Sequence, residues 1–371
     1  PQTTHLSIHD SNPLIFMNRN TMKAIFRVFC LVVALCVVAA DVLSAKEPIT
    51  VATYVNTVNP NDPAHMASNG IIVSGKAGKV RAFSSLNLTS SYAAACADCI
   101  DFYKTTLGND IKVYLVVAPS AAVYYTPNVA KSWTRSIEGL LNHLYASIKT
   151  DVEIVDAYSV LANHVHEDIY LRTDHHWAPL AGYYTAQELA RIAGVPFNDL
   201  SSYDAVSVPY YVGSMYGYSN DVAVKNSPET FVYHKPRGAG YTTTYIEFRL
   251  GSDRRTIVGE SRPKEGNYFY NFQGAGAYCT FMGGDSGLTQ VRTSAGNGRR
   301  VLIVKDSFGN AIPGYLFYSF EEIHVVDFRY FNRNLKSYIQ ANGITDVVVE
   351  CNISFACSQK TMSSYKRLLT K

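Results

Sequence analysis

Residues 300–350 read RVLIVKDSFGNAIPGYLFYSFEEIHVVDFRYFNRNLKSYIQANGITDVVVE, and this stretch decides the fold class. Three apolar runs, Val301–Lys305, Ile323–Asp327 and Thr345–Glu350, have the length and composition of buried strands. A short helix is predicted after the first strand, and Asn334–Ala341 is predicted to form a second helix that ends before a glycine. Strands that alternate with helices predict an α/β fold with a parallel, doubly wound sheet, and such sheets bind ligands at the carboxyl ends of their strands.

The same alternation extends towards the start of the chain. Ile111–Ala118 is predicted to be a continuous apolar strand, and Val152–Val155 a shorter one. Apolar spacing and helix end signals predict three further helices, Ser90–Leu107, Ala130–Ile148 and Pro179–Ala193. We therefore place one α/β domain over residues 66–362, after an irregular lead-in over residues 46–65.

The pattern changes between about residues 197 and 299. Tyr, Gly, Thr and Ser dominate there, helical spacing disappears, and Tyr241–Leu250 and Gln290–Thr293 read as strands. This segment is predicted to be a β-rich, Tyr-rich insertion in the domain. The flat face and the hydroxyl of tyrosine suit a hydroxyl-rich ligand as well as ordinary half-buried β structure.

Residues 1–45 are predicted to be an upstream extension followed by a signal peptide. Met22 is the expected start, a basic stretch ends at Arg27, and Val28–Ala40 is an apolar run that leads to small residues. This three-part pattern is typical of a secretory leader. The run is shorter than the roughly 20 residues of a membrane span, although a retained N-terminal anchor stays open. The protein is thus expected to be periplasmic, cell-surface or secreted.

Composition excludes some classes of protein. Only 17% of residues are charged, the net charge is +3, and the Lys and Arg residues form no stripe, so no nucleic-acid partner is expected. Five cysteines follow the leader, and this odd number argues against a complete disulfide framework. Cys96 and Cys99 are expected to be small buried helix residues.

The stretch Thr173-Asp174-His175-His176-Trp177 is the first candidate for chemistry. An aspartate two residues before a histidine can hydrogen-bond to the imidazole, fix its tautomer and stabilise its charged form. This pair is the orienting and basic half of a serine triad. The spacing is also compatible with a structural role.

The second candidate is Ser307, in Lys305-Asp306-Ser307-Phe308-Gly309-Asn310. It follows a buried strand and precedes a helical turn, where a nucleophile is exposed and backbone N–H groups can stabilise an oxyanion. Gly309 permits close backbone approach, and Asn310 is a possible cap or side-chain donor. Ser307 is equally well placed to be a helix N-cap. A rival nucleophile is Ser286, in Gly284-Asp285-Ser286, but no buried strand precedes it.

A metal site is a further alternative. His164, His166, His175 and His176 lie within 13 residues together with Asp174, and such a cluster can bind zinc. The polar sequence around the first two histidines reads instead as a solvated turn. We expect no metal and no other cofactor.

Taken together, these residues resemble the DHHW family, which is related to the SGNH-like domains of alginate O-acetylation proteins. Five blocks carry the resemblance over about residues 66–360: Ile169–Trp177, Val222–Lys225 with Phe231–Tyr233, Phe281–Asp285, Leu302–Ser307 and Val325–Tyr330. It implies an SGNH-hydrolase-like doubly wound parallel sheet that carries the β-rich insertion.

The resemblance also implies roles for individual residues. Asp174 is the orienter, His176 the base and Ser307 the nucleophile, an order along the chain that reverses the usual SGNH arrangement. No oxyanion-hole block is assigned by the resemblance. Possible oxyanion or substrate contacts are Asn310, Arg329, His175 and Ser286.

These expectations converge on an exported serine esterase or O-acetyltransferase that acts on O-acetyl groups of a cell-surface or secreted polysaccharide. Water as acceptor gives an esterase, whereas a sugar hydroxyl gives a transferase, for which a membrane acyltransferase is a possible partner. A non-catalytic glycan-binding or assembly protein with the same fold is the main alternative, and a zinc hydrolase is the other.

Overall fold

The computed structural model describes residues 49–253 and 256–371. The predicted start at Met22, the leader and its cleavage sites lie outside these residues and stay predictions. The residues from Ile49 to Lys371 form one compact unit.

Fifteen strands are described. In chain order they are β1 Ala64–Met66, β2 Ile71–Ser74, β3 Arg81–Ser84, β4 Lys112–Ala118, β5 Glu153–Val155, β6 Tyr203–Tyr211, β7 Glu229–Pro236, β8 Tyr241–Ile246, β9 Phe248–Leu250, β10 Ile257–Glu260, β11 Lys264–Gly266, β12 Leu288–Thr293, β13 Arg300–Lys305, β14 Glu322–Asp327 and β15 Asp346–Asn352.

The described α-helices are α1 Ala94–Leu107, α2 Ala122–Tyr125, α3 Glu138–Ser147, α4 Ala157–Ala162, α5 Pro179–Ala193, α6 Met215–Ser219, α7 Val222–Lys225, α8 Leu335–Ala341, α9 Ile353–Ala356 and α10 Gln359–Leu368. The 3₁₀ turns are Ser68–Gly70, Ser90–Tyr92, Asn128–Trp133, Leu200–Ser202, Gly274–Thr280, Ser307–Ala311 and Pro313–Leu316.

An eight-stranded sheet of order β11-β8-β12-β14-β13-β15-β4-β5 forms the centre of the domain. The five strands from β14 to β5 are parallel, whereas β12, β8 and β11 each pair antiparallel to their neighbour. Two parallel strands, β13 and β15, are buried along nearly their whole length, as apolar strands covered on both faces must be. The predicted α/β fold class is confirmed.

The insertion joins the sheet instead of folding apart from it. It supplies the three antiparallel strands at one edge, and its first two strands, β6 and β7, pair separately as a hairpin. The predicted strand Tyr241–Leu250 is divided between β8 and β9. The division falls at Glu247, whose N–H donates to Ser261 Oγ at 3.0 Å and whose carbonyl accepts from Ser261 N at 2.8 Å.

The prediction of a single helix over Ala130–Ile148 is wrong. The chain forms a 3₁₀ turn and then α3, and residues Thr134 and Arg135 lie between them in extended pairing with Leu86. Leu86 N donates to Thr134 Oγ1 at 2.8 Å, and Arg135 N donates to the Leu86 carbonyl at 2.7 Å. Tertiary hydrogen bonds therefore override the local helical pattern.

Other local predictions are confirmed. Helix α5 begins at Pro179 and ends at Gly194, which adopts a left-handed φ of 67°. Cys96 and Cys99 are buried on α1, and every cysteine from residue 49 onwards that the structure describes is unpaired. In the described part of the chain, no helix is both long and apolar enough to span a membrane.

Candidate active site

The structure brings Ser307, His176 and Asp174 into one hydrogen-bonded chain. Ser307 Oγ lies 2.8 Å from His176 Nε2, and His176 Nδ1 lies 2.6 Å from Asp174 Oδ1. Asp174 and His176 are buried, while Ser307 opens to a cavity of about 290 Å³. This geometry is that of a nucleophile, a base and an orienter.

The cavity lies at the carboxyl ends of the parallel strands, as expected for this fold. Ala118 ends β4, Ser307 follows β13, Arg329 follows β14 and Asn352 ends β15, and all four residues line the cavity. The site therefore combines residues from sequence segments far apart.

Asp306, and not Ser307, caps the turn that follows β13. Its Oδ1 accepts a hydrogen bond from Phe308 N at 2.8 Å, and its Oδ2 accepts from both the backbone N and the side-chain Nδ2 of Asn352. Burial raises the pKa of Asp306, against the lowering effect of these hydrogen bonds. The Ser307 hydroxyl is thereby left free of a capping role and lies against His176.

Gly309 is required by close packing beneath this turn. A side-chain carbon at residue 309 would lie 2.5 Å from both Glu350 Oε2 and Lys305 Cβ, which leaves no room for it. The Gly309 backbone therefore packs closely against these two side chains.

Asp174 is held by three groups besides the imidazole. Its Oδ2 accepts from Tyr211 OH at 3.0 Å and from Ser214 N at 2.8 Å, and its Oδ1 accepts from His176 N at 3.0 Å. Burial alone would raise the pKa of Asp174, but the charges of His176 and His175 and these hydrogen bonds hold it well below its usual range. Asp174 is therefore ionised at neutral pH.

A β-bulge delivers Tyr211 to Asp174. Strand β6 carries one extra residue between Val208 and Tyr211 relative to β7, and Tyr210 adopts a left-handed φ of 58°. Strict alternation would place Tyr210 on the buried face of Val208, but the bulge exposes Tyr210 and buries Tyr211.

The Asp174 loop is fixed from behind by Glu229. Its two carboxylate oxygens accept hydrogen bonds from Arg172 N at 2.8 Å and from Thr173 N at 2.7 Å and Thr173 Oγ1 at 2.6 Å. At the other end of the motif, Trp177 is fully buried and its Nε1 donates to the Phe308 carbonyl at 2.9 Å. The Trp177 bond ties the histidine loop directly to the serine turn.

Tyr278 packs against the ring of His176. Its ring stacks on His176 with centroids 3.8 Å apart and planes within 7°. Its hydroxyl donates to the carbonyls of Ser307 at 3.1 Å and Phe308 at 3.3 Å. One buried side chain therefore positions both the imidazole and the serine turn.

His175 lies beside the base without joining the chain of three. Its Nδ1 lies 2.6 Å from Ser214 Oγ, and its ring centroid is 3.7 Å from that of His176. Burial, together with the charge of His176, lowers the pKa of His175 to about 4. His175 lines the Ser307 cavity as a neutral side chain at neutral pH.

Two cations and two carboxylates form a cluster beside Ser307. Lys305 Nζ is fully buried and lies 2.8 Å from Asp327 Oδ2 and 3.0 Å from Asp285 Oδ1. Arg329 lies 2.6 Å from Asp327 Oδ2 and 2.8 Å from Asp285 Oδ2. Burial would raise the pKa of Asp285, but Lys305, Arg329 and an Asn310 hydrogen bond lower it below its usual range.

The other candidate contacts, Arg329, Asn310 and Ser286, have three different surroundings. Arg329 lines the Ser307 cavity. Asn310 is buried and its Nδ2 donates to Asp285 Oδ1 at 3.0 Å, so this amide contributes to the charge cluster. Ser286 lines a separate cavity, and the structure does not bring it to His176.

The four-histidine cluster of the zinc alternative does not form. The ring of His164 stacks on Tyr184 at 3.5 Å between centroids, and His166 Nε2 lies 3.2 Å from Thr57 Oγ1. Among the described residues, one group of potential ligand atoms lies within 4.8 Å of one another, and it contains Asp174 and the other two histidines. The zinc alternative rested on the short distance in sequence between these histidines and Asp174, and His164 and His166 are close to Asp174 in residue number only.

Sequence reasoning gave no role to several residues that shape this site, among them Tyr211, Glu229, Tyr278 and Asp285. The Gly-Asp-Ser stretch did signal Asp285, but only its serine was weighed as a site residue. A bulge, a long-range hydrogen bond and a stacking ring leave no comparable sequence signal, so the other three were not accessible.

The fold and the site together define an α/β protein with a serine, a histidine and an aspartate at the carboxyl edge of its sheet. The chain belongs to the DHHW protein family, whose model matches residues 70–326. A solved DHHW family protein from Eubacterium siraeum is 33% identical, with a TM-score of 0.74 over 83% of this chain and 98% of that one.

A second likeness concerns the fold alone. Bacillus cereus PatB1, in a structure with a sulfonyl adduct, is 17% identical, with a TM-score of 0.57 over 80% of this chain and 96% of that one. None of the curated proteins matches this sequence.

Proposed function

We propose that this protein is an exported serine enzyme that cleaves or transfers acyl esters, with O-acetyl groups of a polysaccharide as its substrate. The observation that carries the proposal is the continuous chain from Ser307 Oγ through His176 to Asp174, with contacts of 2.8 and 2.6 Å. A protein that only binds glycans needs no such contact between the three side chains.

In the first half-reaction, Ser307 Oγ attacks the acetyl carbonyl carbon while His176 Nε2 takes the hydroxyl proton. The tetrahedral intermediate collapses, the ester C–O bond breaks, and His176 returns the proton to the departing alkoxide. The product is an acetyl ester on Ser307 together with a free alcohol. Asp174 keeps the imidazole in its reactive tautomer throughout.

In the second half-reaction, His176 deprotonates the acceptor, which attacks the acetyl carbonyl. The bond between the carbonyl carbon and Ser307 Oγ then breaks, and His176 returns the proton to Ser307 Oγ. Water gives acetate, and a sugar hydroxyl gives an acetylated sugar. A transferase outside the cytoplasm needs a supply of acyl groups there, so the proposal includes a membrane acyltransferase as a partner in that case.

We assign the oxyanion donor to the backbone N–H of Ser307. Ser307 is the first residue of its 3₁₀ turn, where the N–H groups have no partner within the turn. The next two N–H groups are committed, since Phe308 N donates to the Asp306 side chain and Gly309 N to the Asp306 carbonyl. Arg329, preorganised by its two carboxylates, is the proposed cationic contact in the same cavity.

Turnover of a chromogenic acetate ester and acetate release from an acetylated polysaccharide test the proposal. Ser307→Ala should reduce both by at least about 10³-fold, because the nucleophile is lost. Ser363→Ala, at an exposed residue of α10, is the matched control.

A sulfonyl fluoride provides an independent readout. The proposal predicts a sulfonyl ester on Ser307 Oγ with release of fluoride, located by peptide mass mapping. An adduct on Ser286, or full turnover by folded Ser307→Ala, would overturn the assignment of the nucleophile.

A further inference from the structure

A second cavity of about 550 Å³ lies next to the candidate active site, and we call it the insertion cavity. Strand β11, the segment that follows β8 and the turn around Asp285 form its walls, so nearly all of it comes from the predicted insertion. Its volume is within the range of about 300–1,000 Å³ that small-molecule sites occupy.

The insertion cavity and the Ser307 cavity share a wall. Asp285 lines the insertion cavity, Arg329 lines the Ser307 cavity, and the two side chains are ion-paired at 2.8 Å. The Arg329 guanidinium also lies 5.3 Å from the ring centroid of Tyr330, which lines the insertion cavity. A ligand in this cavity is therefore separated from the Ser307 cavity by one layer of side chains.

Aromatic rings packed on glycines build much of the insertion cavity. A side-chain carbon at Gly283 would meet the Tyr270 ring at 3.5 Å, and one at Gly266 would meet the Tyr245 ring at 2.9 Å. All four residues line the cavity. Both glycines lie within contact distance of a ring, so a larger side chain at either position would crowd the aromatic wall.

The polar groups of the insertion cavity favour a neutral, hydroxyl-rich ligand. Arg262 and Lys264 are balanced by Glu247 and Glu265 in its lining. The fifth charged residue of the lining, Asp285, is neutralised by its ion pairs with Lys305 and Arg329. Balanced charges and aromatic walls suit a sugar ring better than an anion or a lipid.

We propose that the insertion cavity binds a sugar unit of the polysaccharide on which Ser307 acts, with Tyr270 as a stacking wall and the charged side chains of the lining as partners for the sugar hydroxyls. Its part in catalysis rests on the proposed function, since it would hold the glycan while an acetyl group reaches Ser307. Binding of the sugar itself does not require Ser307 to be reactive.

Saccharide binding to a Ser307→Ala protein tests this inference directly. Cellotetraose and xylotetraose, two neutral probes, are titrated and followed by calorimetry and by protein NMR. Saturable binding of at least one probe is expected, and Tyr270→Ala in the same background should weaken it at least tenfold. Tyr92→Ala is the control: it removes a half-exposed tyrosine that does not line the insertion cavity, and its affinity for the probes should equal that of the Ser307→Ala parent.

The outcomes separate this inference from the proposed function. No saturable binding of either probe, or equal binding by the Tyr270→Ala protein, overturns the sugar site even if the wild type hydrolyses a chromogenic acetate. Conversely, binding that Tyr270→Ala weakens supports the sugar site even if the wild type shows no ester turnover. Glu265→Ala, at an exposed residue of the cavity lining, gives a second measure of the same site if Tyr270→Ala fails to fold.

Discussion

Gly213 gives the sharpest test of how Asp174 is held. A side-chain carbon at residue 213 would overlap Cβ and Oδ2 of Asp174 and lie 2.8 Å from its Cγ. Carbon atoms pack at about 3.5–4.0 Å, so Gly213→Ala must push the carboxyl group away by about 1 Å. A displacement of this size cannot preserve both the 2.6 Å contact of Oδ1 with His176 Nδ1 and the 2.8 Å hydrogen bond from Ser214 N to Oδ2.

The expected loss of ester turnover has a lower and an upper bound. Misplacing a catalytic group by about 1 Å costs on the order of 10²-fold. Loss of the orienting aspartate costs about 10⁴-fold where the imidazole takes the wrong tautomer. Overpacking should lower the free energy of unfolding by about 1–3 kcal/mol, so the Gly213→Ala protein is expected to remain folded at 25 °C.

Initial rates on a chromogenic acetate, with circular dichroism to verify folding, measure this effect. Gly217→Ala is the matched control, because residue 217 lies in the same segment and its added carbon would meet nothing within 4 Å. A folded Gly213→Ala protein with the turnover of the Gly217→Ala protein would refute the role of this packing in positioning Asp174.

Two further predictions concern stability. The pKa of His175 is lowered to about 4 in the folded protein. Between about pH 6.5 and 4 the unfolded chain therefore binds a proton at His175 that the folded chain does not bind. The free energy of unfolding should fall as the pH decreases through this window, by at most about 3 kcal/mol. Urea unfolding of His175→Phe, which keeps the ring contacts, should show a smaller fall; an unchanged profile contradicts the assignment. Lys305→Met leaves the fully buried Asp327 paired with Arg329 alone and should cost about 1.5–3 kcal/mol, the range for the loss of a hydrogen bond to a charged group. Arg191→Met, at a surface pair with Arg191 69% exposed, should cost less than about 1 kcal/mol, and equal losses in the two variants would argue against the buried cluster.

Much of the fold follows from short-range pattern. The apolar runs that became β13, β14 and β15 were recognisable because a buried parallel strand must be apolar on both faces. Pro179 and Gly194 marked the ends of α5, since each satisfies a backbone requirement of a helix terminus. The prediction of one helix over Ala130–Ile148 failed because Thr134 and Arg135 form hydrogen bonds with Leu86, which is far away in sequence.

In the candidate site, too, contacts between near neighbours in sequence were predictable, whereas contacts between distant segments were not. Asp174 and His176 are two residues apart, so their contact is within reach of local geometry, and the position of Ser307 after a buried strand indicated an exposed hydroxyl. The contact between Ser307 and His176 spans 131 residues and depends on the order of the strands. The sequence alone also left Ser307 open as a helix N-cap, and the structure assigns the cap to Asp306.

The sequence by itself therefore determined the alternation of strands and helices, the carboxyl edge at which the site lies, and the residue types that meet there, because these depend on periodicity and on neighbours along the chain. Only the tertiary structure decided that the insertion extends the sheet, that a bulge delivers Tyr211 to Asp174, and that Tyr278 and Asp285 support the site. Hydrogen bonds and packing between distant segments have no period in the sequence, and they become defined only when the chain is folded.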